Sequence, residues 1–329
     1  MDIIKEFVVV TDFFDLKNCE DVAYEIQNII DKNPNRTIYF PDGEYTVKRP
    51  IVTPADPRKS VSLKLSDFAV IRVADGWDCD EAVIRLGGKD PANDIFTVGS
   101  NYGFEGGIID CGGVANGISI DSGRETYVRS TSIKNAVIGL HIKYGTNCGS
   151  SDSDISNVNI TGNGEKNSIG VLVDGYDNTF TNMRIGHVFM GVVINTGGNI
   201  LRNIHPLYYT ETASYPYYSE SIGFMENYGR NNWFDFCYSD QFCVGFRTTK
   251  GGGTYTNCFS YWYSPNEPEH IALLSDIAFA GRVSGFTVGG KEPENSVNVF
   301  SKDLEVTEDA VIRDVTVNGH LCRDFNVNS

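Results

Sequence analysis

The chain is short of basic residues, with 27 Lys and Arg against 43 Asp and Glu in 329 residues, a net charge of −16. A surface of that sign repels nucleic acid and anionic lipid, so neither is expected as a partner. No stretch approaches the roughly 18 consecutive apolar residues that a membrane-crossing helix needs. The eight cysteines include no C-x-x-C pair and no His partner at zinc-finger spacing. The common zinc and redox motifs are therefore excluded, reduced structural thiols are expected, and no metal site is expected. The N-terminal segment MDIIKEFVVVTDFFD breaks its short apolar run with Asp12 and Asp15 and lacks a small-residue cleavage site. It does not read as a signal peptide, so the default expectation is cytoplasmic, or secreted if a leader has been trimmed. The segment GKDPAND and the glycines 251–253 lack the sequel of a phosphate loop and read as turns.

What the chain does have is an internal repeat. A Gly followed by alternating apolar residues recurs at Gly117, Gly139, Gly170, Gly191, Gly223 and Gly245, at intervals of 22, 31, 21, 32 and 22 residues. A second pattern, apolar-x-Asn-apolar, interleaves with it at Asn157, Asn182, Asn203 and Asn257, with Asp235 of WFDF taken in the Asn place. Short alternating segments closed by Gly or Asn are strands with one buried face. Two of them in about 22 residues cannot bury that face alone, so coils must stack. Equivalent residues recur in the same order and direction, which favours a parallel helix over an antiparallel sandwich; propeller blades would need roughly 40 residues each. The expected fold is an all-β, single-stranded right-handed parallel β-helix forming one domain over 1–329. The repeated Asn residues are expected at left-handed turns, bonded from coil to coil. Val22, Ile26, Ile29 and Ile30 share one helical face, which predicts a capping helix over 19–31. VSGF at 283–286 and IRDV at 312–315 retain the second pattern, so the helix is expected to run close to the end of the chain.

The stretch from Cys19 to Ile51 carries an acidic pair, Glu20 and Asp21, ahead of the helix, then a strand running into Phe40-Pro41-x-Gly43-x-Tyr45. It resembles the N-terminal signature of the pectate-lyase-like superfamily of right-handed β-helices, which includes polygalacturonases, pectate lyases and phage tailspikes; GFEGGIIDCGG at 103–113 is similar to the strand preceding the central coils of polygalacturonase-like members. The resemblance implies a glycan as substrate class and a monomer or homotrimer, without fixing one reaction. The polygalacturonase motifs do not occur in order and the Trp-Ile-Asp-His motif of pectate lyases is missing, so neither standard site transfers.

The coils themselves indicate a site. From repeat Asn, or Asp235, to the next strand Gly the counts are 13, 9, 20 and 10, so the third coil carries about ten extra residues. The predicted loop, 205–221, holds His205, Tyr208, Tyr209, Glu211 and Glu220, and the turn after Asn257 adds Tyr261 and Trp262. Five positions after the aligned residue come Gly162, His187, Tyr208, Asp240 and Trp262, expected in a column about 4.8 Å apart per coil. Aromatic faces bind sugar rings and carboxylates bond their hydroxyls, so these residues, with Tyr238, are expected to line a glycan groove. Hydrolysis needs two carboxylates, for which Asp240 facing Glu211 or Glu220 is expected, with His205 tuning or positioning. For elimination the resemblance implies an Arg or Lys base, for which Arg184 is expected, with Arg247 and Lys250 as further options, and Ca²⁺ or a cation neutralising a uronate; otherwise no cofactor is expected. Cleavage of an oligo- or polysaccharide, hydrolysis ahead of elimination, is the leading expectation. A non-catalytic glycan-binding or tailspike-like module is the alternative.

Overall fold

The computed structural model describes residues 7–16, 20–89, 103–144, 150–208, 218–229, 231–262, 271–290, 298–300, 307, 310–317 and 320–322, with backbone alone at 298–300, 316–317 and 320–322. The fold is the right-handed parallel β-helix that the repeats predict. The chain divides into two compact units, 1–163 with 174–178, and 164–173 with 179–329.

In the first unit each coil contributes three short strands, and equivalent strands stack in parallel register. One column runs through Arg36–Phe40, Val61–Leu65, Gly103–Glu105, Tyr127–Arg129 and Asp154–Ser156. A second runs through Gly43–Val47, Ala69–Val73, Ile108–Asp110, Ser132–Ala136 and Asn159–Gly162. The third is Ile51–Pro54, Ala82–Lys89, Asn116–Ile120 and Ile138–Ile142. Alternation sends every second residue inward. The core is thus built of ladders such as Ile71, Ile109 and Ile133, each fully buried.

The capping helix spans Ala23–Lys32, a few residues later than predicted, with Val22 as its N-cap; ahead of it the Asp21 carboxylate accepts the Ala23 N–H at 3.0 Å. Val22, Ile26, Ile29 and Ile30 are all buried, as the pattern requires. Gln27 satisfies the backbone of Val52 in both directions, at 2.9 Å each, and so covers groups a strand edge would otherwise leave open. Beside it Tyr45 bonds the Pro41 carbonyl at 2.8 Å and packs edge-on against Phe40.

On the third column of this unit the outward side chains form an ion network. Arg85 pairs with Asp121 at 2.6 Å, Lys143 with Glu81 at 2.6 Å and with Asp121 at 3.5 Å. The buried Ser119 hydroxyl donates to Asp121 at 2.5 Å, and His141, read from sequence as a strand residue and lying in strand Ile138–Ile142, meets Asp174 at 2.7 Å.

The second unit repeats the plan. Ile169–Val173, Met190–Ile194, Ile222–Glu226, Val244–Thr248, Ile271–Ser275 and Asn298–Phe300 stack in parallel. The repeated glycines lie here for want of space. A Cβ on Gly191 would stand 2.4 Å from the Gly223 carbonyl oxygen, and one on Gly223 would stand 2.7 Å from that of Gly245. Aromatic rungs fill the core, Phe224 on Phe246 with centroids 4.6 Å apart and Phe234 on Tyr255 at 4.9 Å, each contact contributing about 0.5–1.5 kcal/mol beyond burial. The repeated Asn residues have positive φ, 55° at Asn157, 54° at Asn182 and Asn203, and 52° at Asn257, and Asn203 donates to Asn182 at 2.8 Å. The parallel run continues to Val311–Arg313 and Val315–Val317, and His320–Cys322 then pairs antiparallel with the latter. Among the described residues Cys79, Cys111, Cys237, Cys243 and Cys258 are free thiols, all but Cys79 buried.

Candidate functional site

The left-handed position in the fourth coil of the second pattern is Phe236, φ 52°, rather than Asp235. Strand register agrees, since Arg202 pairs with Asp235 and Asp235 with Thr256. Aligning on Asp235 therefore slips the coil by one residue, and a one-residue slip moves a side chain to the opposite face. Corrected, the outward column two residues after the bend is Arg184, His205, Tyr238 and Phe259. Two residues further on come Gly186, Leu207, Asp240 and Tyr261.

The slip has consequences for the predicted groove. Asp240 faces outward, but Tyr208 and Trp262, placed in its column by sequence, point inward and are 2% and 1% exposed. Tyr208 packs against Tyr218 and Phe242, and the Trp262 indole donates to the Phe242 carbonyl at 2.6 Å. Both are core residues and are removed from the groove. His187 occupies a left-handed corner, φ 56°, against Gly164, and burial lowers its pKa. Glu220 is exposed and paired with Lys166 at 2.7 Å. The predicted loop begins later than His205, which belongs to strand Ile200–Leu207; Tyr209 and Glu211 lie outside the described residues.

What the structure brings together is His205, Tyr238 and Asp240. The imidazole Nε2 of His205 lies 3.3 Å from Asp240 Oδ2, and Gln241 donates to Oδ1 at 3.0 Å. Tyr238 stacks face to face on His205, centroids 4.1 Å apart and 16° between planes, and also hydrogen-bonds Asp240. Burial first, then the negative charge and hydrogen bond of Asp240, push the Tyr238 hydroxyl well above its ordinary pKa, so the phenol keeps its proton. Phe259 packs on Tyr238 at 4.9 Å and Tyr261 on Phe259 at 5.9 Å, continuing an aromatic surface of half-buried rings. Arg184 stands in register with His205, but its guanidinium donates to the carbonyls of Met183 at 3.0 Å and Asn203 at 3.4 Å. Sequence reasoning missed Gln241 and Phe259 as site residues. Alignment on the left-handed residue instead of on the polar one brings Tyr238 into the column of His205 and Phe259, which is the signal for the ring surface; Gln241 has no such signal.

Among the described residues no three His, Cys, Asp or Glu side chains converge to hold a metal ion. One carboxylate with a His, a Tyr and a Gln does not fit the cage of six to eight oxygens that Ca²⁺ takes.

No protein-family profile matches the chain, and no curated protein sequence does. Solved structures do. The chain superposes over 96% of its length on the tailspike protein of E. coli bacteriophage HK620, solved in complex with a pentasaccharide, with a TM-score of 0.68 and 12% identity, and spans 62% of that chain. Bacteriophage phi29 gene product 12 matches 95% of the chain at a TM-score of 0.63 and 15% identity, with 49% of its own length covered. A tailspike of Acinetobacter baumannii bacteriophage Fri1, a capsular polysaccharide depolymerase, matches 96% at 0.59 and 11%, with 59% covered. The chain thus spans less than two thirds of each. At such identities the likeness is one of fold, a β-helix shared with phage tailspikes.

Proposed function

We propose that the chain is a glycan-binding β-helix module that cleaves its ligand at the His205–Tyr238–Asp240 cluster. The observation that carries this reading is a partly shielded carboxylate, Asp240, whose partners are an imidazole, a phenol and an amide, set beside the ring surface of Tyr238, Phe259 and Tyr261. Rings of that kind seat sugar faces, and a carboxylate paired with an imidazole rather than with a Lys or Arg is placed for proton transfer. The glycans and the depolymerase activity named for the phage tailspikes of similar fold support the substrate class. The kinship with pectate-lyase-like β-helices belongs to this proposal too, resting on the first-coil signature from Phe40 to Tyr45.

Hydrolysis is put ahead of elimination. Arg184, which elimination would use as base, has its guanidinium engaged by two backbone carbonyls. Asp240 acts as acid or base, His205 orients and tunes it, and protonated Tyr238 donates a hydrogen bond. A second carboxylate is required for the usual two-carboxylate hydrolysis, and Glu211 is the residue assigned to it. The competing reading, binding without cleavage, is favoured by the single carboxylate in the described cluster.

A panel of neutral and acidic oligosaccharides, followed by reducing-sugar release and by absorbance of unsaturated uronates, distinguishes hydrolysis, elimination and binding alone. Reducing ends without unsaturation are expected from the wild type. Activity undiminished in a folded Asp240→Asn variant would sink the assignment.

A further inference from the structure

Trp233 lies on the same coil as Tyr238, five residues earlier and before the left-handed bend at Phe236. It stands in a second outward column, in which Ile200 pairs with Trp233, Trp233 with Thr254 and Thr254 with Arg282. Trp233 and Arg282 are therefore two rungs apart, about 9.6 Å along the stack. Between them is a cleft of about 390 Å³ whose walls include Trp233, Thr254 and Arg282 and whose floor includes Gly253 and Gly281. The floor carries no side chains because the rungs approach too closely; a Cβ on Gly281 would stand 2.5 Å from the Gly253 carbonyl oxygen.

Two features separate this cleft from ordinary solvated surface. The Trp233 side chain belongs to a residue 44% exposed, where the core aromatics of the same coils are fully buried. The Arg282 guanidinium has no carboxylate partner among the described residues, whereas Arg202 is tied to Asp235 at 3.4 Å and Arg247 to Asp276 at 3.0 Å. In a chain of net charge −16, an arginine with no carboxylate partner among the described residues, beside an exposed indole, forms an anion site with an apolar wall. A guanidinium binds a carboxylate through two parallel hydrogen bonds. An indole face takes the C–H face of a pyranose, and the Thr254 hydroxyl lies between them for a sugar hydroxyl.

We infer that this cleft is a subsite for a sugar residue bearing a carboxylate, a uronic acid unit of an acidic glycan. The inference rests on the reading of the chain as a glycan-binding module, but not on cleavage at Asp240. Arg282 supplies the charge recognition, and Trp233 supplies affinity that does not depend on charge.

The test titrates the protein by calorimetry with oligomers of glucuronic, galacturonic and mannuronic acid, each beside its carboxyl-reduced neutral form. At least one acidic oligomer is expected to bind about tenfold more tightly than its neutral counterpart, the scale of one charge-assisted hydrogen-bonded contact. Arg282→Met, with fold checked by circular dichroism, is expected to erase that difference while leaving neutral affinity unchanged, and Trp233→Ala to weaken both forms. No acidic preference for any member, or a preference that survives Arg282→Met, overturns the inference. Asp240→Asn separates the two readings. If cleavage is undiminished in that variant while the Arg282-dependent preference persists, only the proposal for the His205 cluster falls; if cleavage is lost in it but the wild type shows no Arg282-dependent preference, only this one does.

Discussion

Two outward faces of the same kind of coil carry acidic side chains to different ends. On the first unit Asp121 has Arg85 at 2.6 Å and Lys143 at 3.5 Å, with Glu81 closing the network at 2.6 Å from Lys143. On the second, Asp240 meets a His at 3.3 Å, an amide at 3.0 Å and a phenol held in its neutral form. Parallel stacking brings equivalent positions of successive coils side by side, so charge sign down a column decides whether the groups neutralise one another. Alternating signs lock coils together. A carboxylate with no Lys or Arg against it, held by an imidazole, an amide and a phenol, is not locked to a neighbouring coil in that way.

Removing each carboxylate in turn is the strongest way to break this contrast. Asp240→Asn is expected to lower cleavage by about 100- to 10,000-fold, the range of a lost general acid or base, with little change in the urea midpoint. Asp121→Asn is expected to do the reverse. Activity is retained, while stability falls by about 2–3 kcal/mol because Arg85 and Lys143 lose their part-buried counter-ion. Equal effects of the two variants on both readouts would erase the distinction.

A smaller effect comes from the spacing on which both faces depend. Gly223→Ala sets a methyl group 2.2 Å from Ser239 Oγ as well as against the next rung. A loss of about 1–3 kcal/mol is expected, read by urea unfolding. The smallest effect concerns His187, whose pKa burial lowers from the ordinary 6.5. A lowered imidazole pKa adds stability above 6.5 that is lost as pH falls through the folded value, because the unfolded chain takes up the proton first. His187→Asn, which tolerates the left-handed corner, is expected to flatten the decline in urea midpoint below about pH 6.5.

The coils were legible because their two markers answer to local constraints. Gly is required where a carbonyl of the next rung leaves no room, and Asn is favoured where φ is positive, so both recur in the sequence wherever the geometry does. Phe236 was not legible. A bulky residue at φ 52° meets the steric penalty of the left-handed region, and Asp235 beside it is the better turn former. Trusting chemistry over count moved the coil by one, which put Tyr208 and Trp262 outside when they belong to the core. His205 and Asp240 came together regardless, because they are diagonal neighbours on the correct register. The Trp233 cleft gave no signal in the sequence, since it depends on which arginines have no carboxylate partner among the described residues, a property of the folded columns.

The glycine column separates two dimensions of the molecule. It holds the rise from rung to rung fixed, because any side chain there would force neighbouring backbones apart, yet it imposes nothing on how far the chain travels around each turn before returning. Ten extra residues after Asn203 therefore change the perimeter of a coil and not its pitch. A corner segment could be exchanged for another of different length and composition while the scaffold beneath kept its metre, so ligand preference and fold are free to vary at different rates along the same chain.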